Sequence, residues 1–483
     1  MAPGDTGDQR DRIAEVEAQL AARDAEIVEL KAIIAELNRK LEVLTEKLGQ
    51  NSSNSHLPPS SDGPGASAKK AKERRKVPST RKRGGQKGRR GAHRQLLPPD
   101  KIDAFVDLFP VACEGCGAML PQIPDLAPRR YQWLELLACK PHLTEIRRHE
   151  VECEHCGHRT LAPYDAQKIP PSPFGPRLTA VVAMLTGVYH LSRRCAQRLL
   201  REILGIELSL GTISAMEARA SAALVPAVDE AQRQVEGSEV KHTDATSWLR
   251  TGILMSLWTI ASAMATVYRI VGDGCRETIR PLFGTREGIL VSDRASVFKF
   301  WSMPCRQICW AHLLRKFVSF SERDGPAGAI GRELLECTSL VFDYWRGFKD
   351  GSLTREELVA WTRPVQRQFE AVLERAVAAE IPRLSGSCAD VLEHREALWT
   401  FVKHPGVEPT NNHAERELRA FVLWRKRSFG SQSDRGERFA ERVMTVAHTA
   451  RKQGKDVLDF IVRSLTACIR GTTPPSLFAA TTG

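Results

Sequence analysis

At 483 residues the chain is long enough for about three domains of roughly 150 residues each. Its 42% hydrophobic and 6% aromatic content excludes collagen, a disulfide mini-protein and wholesale disorder. Lys and Arg number 70 against 58 acids, a net charge of +12, and residues 69 to 94 carry that whole excess with thirteen Lys/Arg and a single acid, Glu73. A basic segment on an otherwise neutral body points to a polyanionic partner, most often nucleic acid.

The first residues run into a charged helix without the apolar stretch of a secretory leader, so a cytoplasmic location is expected. The twelve cysteines are then expected as thiols or metal ligands. From residue 11 to 49 a seven-residue ladder places Ile13, Leu20, Ile27, Ile34, Leu41 and Leu48 at a, with Val16, Leu30, Leu37 and Leu44 at d, broken only at Arg23. This pattern predicts a leucine zipper joining two copies of the chain, with Glu26 and Lys31 placed to pair across a parallel dimer. A long helix packed on its own body is the alternative, although such helices drift from a 3.5-residue period.

Residues 50–100 read as a flexible basic linker. Its first part, QNSSNSHLPPSSDGPGASA, cannot form a core. Its second part interleaves Gly with Arg81, Lys82, Arg83, Lys87, Arg89 and Arg90, a composition suited to lying along DNA in a narrow groove. A solvated tether with only salt-sensitive phosphate affinity is the competing reading. Residues 101–165 carry Cys113-x-x-Cys116 and Cys153-x-x-Cys156, each followed by glycine, the pattern of a closed four-thiolate site for structural Zn²⁺. Cys139, Cys195, Cys275, Cys337, Cys388 and Cys468 are isolated and read as core or surface thiols.

Residues 170–235 read as a helical, DNA-binding domain. Within it Ser192 caps a first predicted helix, and Ser209 to Ser214 open a second, in the manner of a helix-turn-helix. The second helix is not notably basic, and a helical hairpin packed without DNA fits the pattern equally. Thr251 to Tyr268 lacks charge, yet its β-branched content and the small residues at 261 to 263 predict two buried strands and a turn, with no membrane span. Val240 to Asp244 and Gly288 to Asp293 each look like a strand ending in an acid, and Pro409 to Arg416 opens a helix bearing Glu415. Asp244, Asp293 and Glu415 are thus candidate oxygen ligands for Mg²⁺ or Mn²⁺ in phosphoryl transfer. Each also has a plainer reading: Asp293 as a helix cap, Asn412-x-x-Glu415 as a capping-box variant, and Asp244 as the end of a strand at a turn.

These motifs resemble, in their order, the DDE transposases of the insertion-sequence 66 family. The resemblance runs through the zipper, NSSNSHLPPSSD, GGQKGRRG, the paired C-x-x-C, LSRRCAQRLLREILGIELSLGTIS, HTDATSWLRTG, VSD, CWAHLLRKF and PTNNHAERELR. It implies an RNase H-like α/β core with Asp244, Asp293 and Glu415 as its catalytic and magnesium-binding acids. That core is expected in two parts, 236–317 and 401–470, split by a helical insertion at 318–400 and followed by a tail at 471–483. The whole is a multidomain α+β protein. The resemblance also implies that Cys309 and His312, a C-x-x-H signature, support the active-site wall together with Arg416. Arg416, Arg419 and Arg427 fall near one helix face, suited to phosphate contact, with a solvated basic face as the competing reading. Ala245 stands where relatives often carry another acid.

The expected activity is cleavage at the ends of an insertion sequence, followed by joining of the freed 3′-hydroxyls to target DNA. The expected partners are DNA, a second copy of the chain and accessory proteins of the same element. The rival readings are a catalytically inert DNA-binding derivative of a transposase and a metal-dependent nuclease without strand transfer.

Overall fold

The computed structural model describes residues 6–51, 54, 95–136, 139–163 and 172–479. The chain divides into two compact units: residues 1–65, 146–198 and 208–483 form the first, and 66–145 with 199–207 the second. Architecture is mixed helix and sheet. In chain order, a 44-residue helix α1 (Thr6–Gly49) is followed by the short strands β1 (Glu150–Glu152) and β2 (Arg159–Leu161), which pair antiparallel. Helices α2 (Pro176–Ala183), α3 (Arg193–Leu204), α4 (Leu210–Ala223) and α5 (Val225–Glu236) come next.

The sheet is built from β3 (Val240–Arg250), β4 (Ile253–Ala261), β5 (Thr266–Val271), β6 (Ile289–Ser292) and β7 (Arg306–Ile308), ordered β5-β4-β3-β6-β7. The first three strands form an antiparallel meander, turned at Gly252 (φ +87°), while β6 and β7 run parallel to β3. The uncharged stretch from Thr251 to Tyr268 is therefore strand, and no described helix is long and apolar enough to cross a membrane.

Two hydrophobic cores flank this sheet, and alternation along β6 divides them. Leu290 packs into the core shared by α2, α4, α5 and the last two helices of the chain, whereas Val291 packs into the core of the helices that follow β7. Successive strand residues face opposite ways, so two adjacent aliphatic side chains serve two cores, each worth about 1.5–3 kcal/mol on burial. The insertion comprises α6 (Trp310–Ser321), α7 (Gly325–Asp350), α8 (Arg355–Ala378) and α9 (Ser385–Glu393). A capping box at Thr354 and Glu357 starts α8. The chain then returns through α10 (Asn412–Ser428), α11 (Asp434–Lys452) and α12 (Val457–Arg470).

An exposed edge would invite pairing with another chain, and β5 avoids this by using helix side chains as acceptors. The amides of Thr266, Tyr268 and Ile270 donate in turn to Thr449 Oγ1, Thr445 Oγ1 and Glu441 Oε1. Alternate strand amides repeat every 6.6 Å or so and every fourth helix residue every 6 Å, so α11 can shadow the strand for three steps.

Helix α4 begins at Ser209, whose side chain accepts from the Thr212 amide. Its buried face carries Ile213, Met216, Ala220 and Glu217, the last paired with Arg193 at 2.6 Å. Beyond its first residue, Gly211, Ala215 and Ala222 are exposed, and Thr212, Ser214 and Arg219 are half-buried.

Candidate active site

The last register pair between the parallel strands β3 and β6 is His242 with Val291. Two residues further along stand Asp244, inside β3, and Asp293, just past the end of β6, so the register brings the two acids side by side. Asp244 Oδ1 accepts from the Ala245 amide at 2.9 Å, and Asp293 Oδ1 accepts from the Ala295 amide at 3.0 Å. The second bond closes a turn from residue 293 to 295; the short helix that follows, Ser296–Phe300, caps at Ala295 without a side-chain bond, so Asp293 is not its cap. That bond uses one carboxylate oxygen and leaves the other.

Glu415 reaches this edge because the start of α10 is tied to both strands. Asn411 donates from Nδ2 to the Thr243 carbonyl (2.7 Å) and from its amide to Cys309 Sγ (3.1 Å). The Trp310 amide donates to Pro409 O, and the Cys309 amide to Ser292 O, both at 2.9 Å. These four bonds join the residues before Asp244, Asp293 and Glu415 into one frame. The capping-box variant at Asn412 and Glu415 is absent: the helix caps at Asn411 without a side-chain bond, because that side chain is committed to β3.

The three acids sense one another. Asp244 is pushed up to about 7, first by burial, with the charges of Asp293 and Glu415 adding to it and the Ala245 amide and Arg315 opposing. Burial also raises Glu415, against the pull of Arg315. Arg315 lies 3.6 Å and His312 Nδ1 3.8 Å from Glu415 Oε1, so α6 presents two side chains to the carboxylate on α10.

Cys309, His312 and Glu415 each bring one ligand-type atom within 4.8 Å of the others. Cys309 is fully buried, accepts the Asn411 amide and is pushed up to about 11 by burial, so it stays a neutral thiol. Arg416, by contrast, is exposed on α10, as are Arg419 and Arg427, and none of the three forms an ion pair among the described residues.

The cysteine knuckles are local structures in different units. Gly117 (φ +72°) and Gly157 (φ +70°) donate to the carbonyls of Cys113 and Cys153 at 2.8 Å, and Cys113 and Cys153 donate their amides to Ala118 and His158 at 2.9 Å. Backbone amides within each turn lower the pKa of Cys113 and of Cys153, which favours thiolate. Cys116 and Cys156 are exposed partners in the same turns. Arg81, Lys82, Arg83, Lys87, Arg89 and Arg90 lie outside the described residues, as do the side chains of Ile13, Leu44 and Leu48. Val16, Leu20, Ile27, Leu30, Ile34, Leu37 and Leu41 are exposed along α1.

Two residues of the frame escaped the sequence reading. Asn411 sits inside the quoted PTNNHAER segment, but only the fold reveals that its amide reaches β3. Arg306 is fully buried, donates to the Asp293 carbonyl at 3.2 Å and is lowered to about 10 by burial. Nothing in its local sequence distinguishes it from a surface arginine. Arg294, next to Asp293, pairs with Asp390 at 2.8 Å and so links the loop after β6 to α9.

Comparison with known proteins agrees with the resemblance noted from the motifs. A family model described as "Transposase IS66 family" matches residues 171–438, and one described as "Family of unknown function (DUF6444)" matches residues 7–95. The uncharacterized protein y4hP of Sinorhizobium fredii is 25% identical over 382 residues, covering 71% of this chain and 68% of that protein. A second uncharacterized protein of the same organism, y4qI, is 30% identical over 171 residues, 34% of this chain and 31% of its own length.

Proposed function

We propose, from the premise that this chain belongs to the IS66 family of transposases, that it cuts the ends of a DNA element and joins them to target DNA at the Asp244–Asp293–Glu415 site. The observation that supports this reading is the placement of Asp244 beside Asp293 by the β3–β6 pairing, with Glu415 tied to them through Asn411 and Asp244 pushed up to about 7, chiefly by burial. An all-oxygen donor set of this kind fits a hard divalent ion, Mg²⁺ or Mn²⁺. Such an ion would supply Lewis-acid stabilisation of charge at the reacting phosphate. Strand order β5-β4-β3-β6-β7, with a three-stranded meander and two parallel strands, supports an RNase H-like core.

The chain's own groups hold and orient. Arg315 and His312 keep Glu415 turned toward the sheet edge, Asn411 fixes the entry of α10, and Arg306 holds the Asp293 loop. Arg416, Arg419 and Arg427 are placed to contact phosphates, and Arg194 and Arg198 add an exposed basic stripe on α3. Glycine-interleaved residues 81–91 add sequence-independent affinity. The exposed apolar ladder of α1 supports pairing of two copies, which would hold two element ends together. Thiolate-favouring turns at Cys113 and Cys153 support a structural zinc site with Cys116 and Cys156. Accessory proteins of the element remain part of the reading, as does a cytoplasmic, DNA-associated location.

The decisive test is Mg²⁺-dependent cleavage and joining of labelled duplexes carrying the element's ends. Glu415→Gln is expected to abolish both while leaving duplex binding intact. Cleavage without joined products would instead identify a nuclease, and binding without cleavage an inert derivative. Zinc content and solution mass of the purified chain test the two remaining parts: about one zinc per chain and a dimeric mass are expected, and a zinc-free monomer would refute both.

A further inference from the structure

Helix α10 leaves the active site as a basic stripe and ends in an exposed aromatic. Asn412, Arg416, Arg419, Leu423 and Lys426 follow one another at three- and four-residue spacing, with Arg427 beside the last; all six are exposed and none is an acid. The helix then closes on Phe429, which is 76% exposed and holds a left-handed backbone, φ +54°. That position in a helix cap is normally glycine, since a bulky side chain is strained there.

The surroundings explain why the backbone stays there. Gly430 follows at φ +93°, pressed so closely on β3 that a Cβ would lie 2.0 Å from the Leu249 carbonyl oxygen. Ser431 then donates its amide to Leu249 O (2.8 Å), accepts at its carbonyl from the Thr251 amide (3.0 Å), and takes the Trp248 indole N–H on its hydroxyl (3.1 Å). Arg425 donates to Thr246 Oγ1 at 3.0 Å. The end of α10 is therefore clamped along the β3–β4 turn, where Ile253 and Leu254 are 63% and 66% exposed. Arg250 on this turn is taken up by Asp434 and Glu437, so the nearby acids are already neutralised. A bulky apolar side chain held rigidly in water beside a cationic helix face has no use in folding. Strained residues of this kind persist where function demands them.

We propose that Phe429 is an apolar wedge that enters a stacked base step of duplex DNA while the α10 stripe follows the phosphates. Proteins that kink a duplex use aliphatic or aromatic side chains in this way, flanked by Arg and Lys. A second copy of the chain would also bury Phe429, but the acid-free stripe leading to it, with Arg416, Arg419, Lys426 and Arg427, favours a polyanion. Spacing gives the register. Phe429 lies fourteen residues beyond Glu415, about 21 Å along the helix axis at 1.5 Å per residue. At about 3.4 Å per base pair this is roughly six base pairs from the phosphate at the carboxylates. The inference rests on the transposase reading and adds to it a deformation site in the DNA.

The test uses the full chain and a duplex bearing the element's terminal sequence, with 2-aminopurine placed at successive base pairs from the cleaved phosphate. Fluorescence is expected to rise several-fold at about the sixth pair on binding. Phe429→Ala should lose that rise with little change in affinity, which phosphate contacts dominate, and Phe429→Trp should restore it. A duplex that is bound and cleaved without any rise, or a rise that persists in Phe429→Ala, overturns the wedge and leaves the transposase reading standing. A changed solution mass in Phe429→Ala with unchanged fluorescence assigns Phe429 to contact with a second copy and also overturns the wedge. Failure to bind duplex at all removes the transposase reading and the wedge together.

Discussion

Asp244→Asn is expected to yield a chain that no longer cleaves DNA yet is more stable than its parent in metal-free buffer. The carboxyl of Asp244 ionises near 7 in the folded state and near 4 in the unfolded chain. Below about pH 4 it is protonated in both states and costs nothing. Between about pH 4 and 7 the unfolded chain loses the proton first, so native stability falls as pH rises, by up to about 4 kcal/mol across the window. Asparagine keeps the shape and removes the charge, and should therefore recover about 2–4 kcal/mol near neutral pH. It also removes a ligand, and cleavage should fall by more than the roughly hundredfold seen when even an outer-shell partner of a metal is lost. Mg²⁺ should raise the unfolding midpoint of the parent by linkage and hardly move that of the variant. Thermal unfolding with and without Mg²⁺, on both proteins, checks all of this. A variant that is less stable without metal, or one that still cleaves, removes Asp244 from the site.

The trade of stability for a charged cluster marks which parts of the protein were legible in its sequence. Strands are local signals, and those expected before Asp244 and Asp293 are present; β6 stops at Ser292, just before its acid, but β3 runs on to Arg250, so Asp244 lies within the strand and not at its end, because pairing with β4 continues from His242 to Arg250. The uncharged stretch after Thr251 likewise carried its turn in its small residues. What stayed hidden depends on distant partners. Asn411 looks like a helix cap until β3 lies beneath it, and the bond from its side chain to Thr243 spans 168 residues of sequence. Thr445 and Thr449 look like ordinary helix residues, and only their position beside β5 makes them acceptors for strand amides. Phe429 carries no local signal of exposure. Its exposure follows from a left-handed cap that Gly430 and Leu249 impose from a strand far away in the chain.

Glu417 shows the same dependence, and it carries the second large effect. Two residues from Glu415, it faces away from the active site into a buried cluster. Its carboxylate bonds His448 and meets Lys452 Nζ at 3.1 Å, while Tyr268 donates its hydroxyl to the Glu417 carbonyl at 2.8 Å. Lys452 also donates to the Ser262 carbonyl and to His413 Nε2, at 2.7 and 2.8 Å. His413 is lowered to about 4 by burial and then by Lys452, so it stays neutral and can accept that proton, and it stacks on His242 of β3 at 4.9 Å. One carboxylate thus locks α10 to α11 and, through His413, to the strand that bears Asp244. Burial opposes the charge, but His448 and Lys452 prevail and hold Glu417 down to about 2. The stabilisation is therefore fully present above about pH 4.5 and is lost as pH falls toward 2. Glu417→Gln strands a buried ammonium, a change that typically costs about 3–5 kcal/mol. The expected result is a large fall in the urea midpoint at pH 7 that narrows as the pH is lowered from about 4.5 toward 2. Glu417→Gln combined with Lys452→Met should regain much of the loss, since no unpaired ammonium then remains. A double variant no more stable than Glu417→Gln alone would show that the two side chains are not coupled, and α10 would then owe its placement to Asn411 and Cys309 instead.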